Sequence, residues 1–325
     1  MLKFQEALDI LDEGEVPSII IANGFSQSWK DDIFNYSNLY SQADFGGRGE
    51  VIQSLFEQLG TYDFEAVSKY LSATVLVMRT YHFDEALINR VEEDREILKT
   101  ALIAAISRTH PDLPSEITDT EYVSVRTFLS GFRKIFSVNY DLLFYWARNK
   151  PHLDPQHYST DDGFRRGGVW VGEDTNQQVY FLHGGLHIYD EGRCIKKHSC
   201  TDEGITIIEQ VRDNLTHGKF PLFVSEPSAE DKEKRIKHNP YLNFCFRELK
   251  KLQGSLFIHG HSLDDNDKHI FDQVSKSNVS SVFVSIYGDE NSDANRRTIA
   301  NAMAYLSVRG KRIVFYDAET APIWR

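Results

Sequence analysis

Five short segments place amides, hydroxyls, glycines and a histidine directly after apolar runs. They are Asn23-Gly24-Phe25-Ser26, Asn139-Tyr140-Asp141, His183-Gly184-Gly185, Gly260-His261-Ser262-Leu263-Asp264 and Tyr287-Gly288-Asp289. A side-chain amide such as that of Asn139 can hydrogen-bond a hydroxyl and a water at the same time. A histidine such as His183, with a pKa near neutrality, is a well-matched general base. Glycines let a ligand come close to backbone, and the helix N-termini that follow offer N–H groups to phosphate. Each segment alone reads more simply: Asx residues close turns and cap helices, and a histidine before a glycine pair is commonly structural. No Gly-x-Gly-x-x-Gly fingerprint and no Gly-x-x-x-x-Gly-Lys loop is present. The information lies in the ordered set.

For these segments to meet, they must sit at one edge of a sheet. Short apolar runs at 19–22, 135–138, 179–182, 222–225, 256–259, 282–287 and 313–316 read as buried strands, and helical patterns separate most of them. Helices are expected at 142–148, 205–215, 241–252, 267–276 and 294–308. This alternation predicts an α/β fold: a doubly wound, parallel, Rossmann-like sheet of six or seven strands in one domain, 1–325. Every parallel strand then delivers its tip to the same rim, where open α/β sheets bind ligands. Asn139 would sit at the second tip, with Asp141 capping the next helix. Residues 38–131 differ, with helical patterns at 51–59, 64–79, 83–108 and 121–129, and read as a helical insertion between the first two strands.

The bulk numbers narrow the classes. The chain has 325 residues, 41% hydrophobic and 26% charged, as in a soluble globular protein, and no run approaches a membrane span. Three cysteines and no secretory signal fit a reducing cytoplasm. A net charge of −12 repels polyphosphate and argues against nonspecific nucleic-acid binding. The basic clusters at 232–237 and 250–251 read as solvated helix faces. A chain this acidic can still hold a dinucleotide if backbone dipoles supply the positive potential.

The order of these tips resembles the sirtuin-like fold, in particular the bacterial branch that destroys NAD instead of deacylating lysine, much of it in anti-phage defence. Phe223-Val224-Ser225-Glu226, Asn239-Pro240-Tyr241-Leu242 and Leu256 through Asp264 are similar to an uncharacterised bacterial family of that superfamily. The likeness covers 17–30 and 134–317 and leaves the insertion out. It implies an NAD+ glycohydrolase. Ser26 and the Asn23-Gly24-Phe25 backbone would contact the NAD phosphates and adjoining ribose. Asn139 would hold the nicotinamide ribose and the attacking water, with His183 as general base. Gly260 and Ser262 would hold phosphate or ribose, Tyr287-Gly288 would approach the adenosine side, and Asp141 and His261 complete the set. The resemblance also implies activity triggered by homo-oligomerisation or by a partner protein, such as an ATPase or a phage-sensing subunit. Two departures stand out. Ala22 replaces the first glycine of the sirtuin phosphate turn, and Cys194, Cys200 and Cys245 cannot supply a four-cysteine zinc module. NAD is therefore expected as substrate, with no zinc and no other metal.

Two metal readings compete. His259 and His261 share a strand face in front of Asp264, Asp265, Asp267 and His269, but the carboxylates precede a helix and read as N-caps. Cys194, His198 and Cys200 lack a fourth ligand in sequence. Two functional rivals remain: a sensor that binds NAD or an ADP-ribose derivative without turnover, and a structural partner in an assembly. The insertion is the expected contact surface for a partner, with deletion of 51–108 as its test.

Overall fold

The structure is a computed structural model that describes residues 1–31, 36–172, 175–199, 205–217 and 219–325. The chain opens with α1 (Phe4–Leu8) and β1 (Ser18–Ile21). Next come α2 (Asn23–Gln27), α3 (Tyr36–Gln42), α4 (Gly49–Leu59), α5 (Phe64–Thr80), α6 (Glu85–Thr109) and α7 (Asp119–Ser130). Only then do β2 (Ile135–Ser137), α8 (Leu143–Asn149) and β3 (Val179–Phe181) follow. A group of small elements comes after them: β4 (Gly184–Gly185), β5 (Ile188–Asp190), β6 (Ile195–Lys197), α9 (Ile207–Thr216) and β7 (Leu222–Phe223). The chain ends with α10 (Ala229–His238), α11 (Pro240–Leu249), β8 (Gln253–His259), α12 (Lys268–Ser275), β9 (Asn278–Ile286), α13 (Asp293–Leu306) and β10 (Arg312–Asp317).

Six of the strands make one parallel sheet in the order β10-β9-β8-β1-β2-β3, flanked by helices in a Rossmann-like α/β fold. All four residues of β1 are buried, as its unbroken Ser-Ile-Ile-Ile run requires of a strand covered on both faces. Aromatic pairs lock the register between neighbouring strands: Phe257 stacks on Phe283 with centroids 4.5 Å apart, and Phe136 on Tyr180 at 4.6 Å. From β1 the chain builds β2 and β3 to one side and β8, β9 and β10 to the other. The gap between β1 and β8 is thus the topological switch point, where the connections diverge and a crevice opens beyond the strand ends.

Apolar segment 222–225 is not a strand of this sheet. Leu222 and Phe223 pair antiparallel with Gly185 and Gly184 in a separate two-stranded ladder. The approach is so close that a Cβ on Gly184 would lie 2.0 Å from the Leu222 carbonyl oxygen, and Gly184 has a φ of 80°. Glycine is required there.

The helices between β1 and β2 are part of the same core. Phe56, Phe64, Val67, Leu98 and Ile103 are buried in the apolar cluster that also holds the sheet. Asp63 caps α5 by accepting from Glu65 N at 2.8 Å and Ala66 N at 3.3 Å, which fixes where that helix begins. The far end of the α5–α6 pair projects outward, and Tyr70, Leu76, Val77, Tyr81 and Phe83 are exposed. Among the described residues no helix is long and apolar enough to cross a membrane.

Candidate functional site

A cavity of about 360 Å³ lies at the switch point. The tip of β1 supplies Asn23 and Gly24, that of β2 Asn139 and Asp141, that of β3 His183, and that of β8 Gly260, His261 and Ser262. Eight of the sequence-expected residues, from four segments, are thus brought to one space. The opposite wall comes from the helices between β1 and β2, through Leu39, Asp63, Phe64, Glu65, Leu102 and Ile106.

The β1 and β8 tips touch. A Cβ on Gly24 would lie 2.6 Å from Gly260 Cα, and Gly24 N donates to Gly260 O at 3.0 Å. Phe25 N donates to Ala22 O at 2.8 Å. These two N–H groups are therefore already engaged, and the backbone cradle expected for phosphate at this turn is not free. Close backbone packing explains the two glycines. The Phe25 side chain is buried against Phe144 and Trp324, and its carbonyl accepts from Trp324 Nε1 at 2.8 Å.

Ser26 stands behind the cavity wall. Its hydroxyl donates to Asp141 Oδ2 at 2.6 Å and accepts from Asn139 Nδ2 at 2.8 Å. Asp141 also accepts from Leu143 N at 2.9 Å and so closes the turn after β2, but it is not the cap of α8: the N-cap position is Leu142, which makes no side-chain cap. Burial raises its carboxyl above the usual range. Asn139 Nδ2 is held by Ser26, and the group it offers a ligand is its Oδ1 acceptor. Tyr140 packs flat on Phe223 at 3.7 Å, and its hydroxyl donates to Val224 O.

His183 is buried, and burial lowers its pKa well below the ordinary value. Its Nε2 lies 3.4 Å from His269 Nε2 and 3.7 Å from Asp267 Oδ1. Asp267 precedes α12 but makes no side-chain cap, contrary to the N-cap expectation. Its Oδ1 accepts from Lys232 Nζ at 2.9 Å, and its Oδ2 is 3.3 Å from His261 Nε2, in ion-pair range but off line for a hydrogen bond. Asp264 makes no cap either and lines the cavity. Lys232 is 1% exposed, which overturns its reading as part of a solvated face; Lys234 and Lys237 of the same helix are exposed. Its Nζ donates to Glu65 Oε2 at 2.7 Å, and Glu65 also accepts from Asn266 Nδ2 at 2.6 Å. Burial would raise the Asp267 carboxyl, but the Lys232 ammonium foremost holds it well below its usual range. Glu65 goes the other way: burial, reinforced by Asp267 and opposed by Lys232, pushes it up to about 7.

His183, Asp267 and His269 are close enough to hold a metal ion. The Lys232 ammonium, however, already sits on the carboxylate oxygen such an ion would need. His259 is not part of this group. Gly260, at φ 71°, turns the chain, so His259 Nδ1 meets Tyr316 Oη at 2.9 Å in the core while His261 faces the cavity. His198 is engaged by Gln210 Oε1 and Asn214 Nδ2, both at 3.1 Å, and Cys200 lies outside the described residues.

Tyr287 and Gly288 do not reach the cavity. Tyr287 is 74% exposed, and Gly288 borders a shallow depression beside Met1 and Asp317. Glu65 and Lys232 are the residues that no tip motif announced; His269 is legible in the sequence only as a candidate metal ligand.

Fold and site together define an α/β protein of Rossmann-like architecture with a polar cleft at the switch point of its sheet. Residues 19–324 match the family described as a domain of unknown function (DUF4917), and the chain belongs to that family. No curated protein matches the chain.

Proposed function

We propose that this chain is an NAD+ glycohydrolase that cleaves NAD+ to nicotinamide and ADP-ribose. The observation that carries the reading is the meeting of Asn139 and His183 in one cavity at the switch point, within the volume of about 300–1,000 Å³ usual for small-molecule sites. Nicotinamide leaves NAD+ as a neutral group from a charged ring, so no general acid is needed. The C1′–N bond breaks with its electron pair going to nicotinamide, water forms the new C1′–O bond, and the water's proton goes to His183. Burial keeps that imidazole neutral, so its lone pair is available, but it also makes His183 a weaker base than the near-neutral histidine the sequence suggested. The nitrogen for this task is Nδ1, since Nε2 faces His269 and Asp267. Asn139 Oδ1 accepts from a ribose hydroxyl or the water and orients the pair. With two turn N–H groups already engaged, phosphate contacts would come from elsewhere on the rim, where Ser262 and Asn23 line the cavity.

The resemblance to NAD-destroying sirtuin-like proteins supports the same reading. It adds a cytoplasmic effector role in anti-phage defence, switched on by self-association or by a partner protein. The rival is a sensor that binds NAD+ without turnover, favoured by the burial that lowers the basicity of His183. Incubation with NAD+ and chromatography of the products separates the two. Release of nicotinamide, slowed at least about 100-fold in His183→Ala and Asn139→Ala, supports the hydrolase. Saturable binding with NAD+ intact supports the sensor.

A further inference from the structure

The polar cluster behind His183 runs continuously from the helices between β1 and β2 to the proposed base. Glu65 of α5 bonds Lys232 of α10, Lys232 bonds Asp267 before α12, and Asp267 Oδ1 lies 3.7 Å from His183 Nε2, next to His269 Nε2 at 3.4 Å. Three features set it apart from ordinary surface pairing. Lys232 is 1% exposed, and a buried ammonium requires partners that compensate its lost hydration. Asp267 ends the short 3-10 turn Asp265–Asp267 that leads into α12 and makes no side-chain cap, so its carboxylate serves the cluster instead. Asn266, beside Asp267, also bonds Glu65, giving α5 a second hold on the same turn.

We propose that Asp267 is the positioning residue for His183, and that Glu65, acting through Lys232, makes its setting depend on the docked helices between β1 and β2. The proposal rests on His183 being the base. Nε2 has His269 Nε2 at 3.4 Å as its hydrogen-bond partner and the Asp267 carboxylate at 3.7 Å as its nearest negative charge, with Lys232 and His261 around the same group. The carboxylate favours the proton on Nε2, which leaves Nδ1 as the basic nitrogen, and balances the charge His183 acquires. Lys232 holds Asp267 Oδ1 at 2.9 Å. A shift of α5 that withdrew Glu65 would leave Lys232 with one carboxylate and free the Asn266 turn, so the site is complete only when these helices are seated.

The test uses the full chain as Asp267→Asn, an isostere without the charge, and Glu65→Gln, an isostere that keeps one hydrogen bond to Lys232. For each, kcat and KM for NAD+ are measured across pH, and the His183 imidazole is titrated by NMR without NAD+. Asp267→Asn is expected to lose about 10- to 100-fold in kcat, part of what a positioned base supplies, with KM within about threefold. Its acid limb and its His183 titration should both move to lower pH. Glu65→Gln should lose kcat in the same direction but less. An Asp267→Asn chain with wild-type kcat and an unmoved His183 titration overturns the proposal. So does a Glu65→Gln chain indistinguishable from wild type. If the wild type leaves NAD+ intact, the NMR arm still decides: a lowered His183 titration in Asp267→Asn upholds the positioning role while removing the hydrolase reading, and an unmoved one overturns both.

Discussion

Glu65 and Lys232 show how a buried charge is kept in a chain of this composition. Two carboxylates share one ammonium; Asp267 carries the negative charge, and Glu65 holds its proton up to about 7. Because the folded state favours protonated Glu65, its contribution to stability is full below the ordinary value of 4.5 and is lost as pH rises through about 7. Burial pushes His110, His259 and His269 the other way, each to about 4. Their contribution is present above 6.5 and is lost as pH falls through about 4. The two effects oppose each other on mild acidification. Glu65→Gln removes the first, so urea unfolding at pH 6.5 and pH 4.5 should show a steeper loss of stability on acidification than in wild type, by about 2 kcal/mol. A slope equal to the wild type's would show that Glu65 does not titrate in that window.

At the scale of elements, the site depends on how the β1 and β8 tips meet. A Cβ on Gly260 would come 2.7 Å from Gly24 Cα, at a φ of 71°. Gly260→Ala must push the two tips apart and strain its own backbone, and should cost at least about 2 kcal/mol by thermal or urea unfolding. The cavity should open with it and NAD+ binding weaken; an unchanged unfolding midpoint would contradict this packing. The strand tips were legible in the sequence because unbroken β-branched and aromatic runs ending in Gly, Asn or His have few other solutions. Leu222-Phe223 misled because a two-residue ladder and a sheet strand begin with the same apolar pair, and only the position of Gly184 in space distinguishes them. Asp267 misled because a carboxylate before a helix normally caps it; the residue that diverts it, Lys232, is 35 positions away. Glu65 left no signal because its partner is 167 positions away and its own neighbourhood is an ordinary helix start.

Across the whole molecule, the helices between β1 and β2 divide into an inner part that walls the site and an outer end that does not. Deleting 51–108 removes Phe56, Phe64, Leu98 and Ile103 from the common core, so that chain should fail to fold instead of reporting on assembly. Changes at the exposed end are milder: Leu76→Ser with Tyr81→Ser should shift stability by no more than about 0.5 kcal/mol per site and leave NAD+ cleavage intact. A large loss of stability would place those side chains in the core after all. The central claim is that an amide and an imidazole from different strands close over one sugar. Its most direct test is the crystal structure of the slowed Asn139→Ala chain with NAD+. The account predicts the nicotinamide ribose in the switch-point cavity, its C1′ within reach of His183 Nδ1 through one water. NAD+ bound in another depression, or that cavity empty at saturating NAD+, would contradict it.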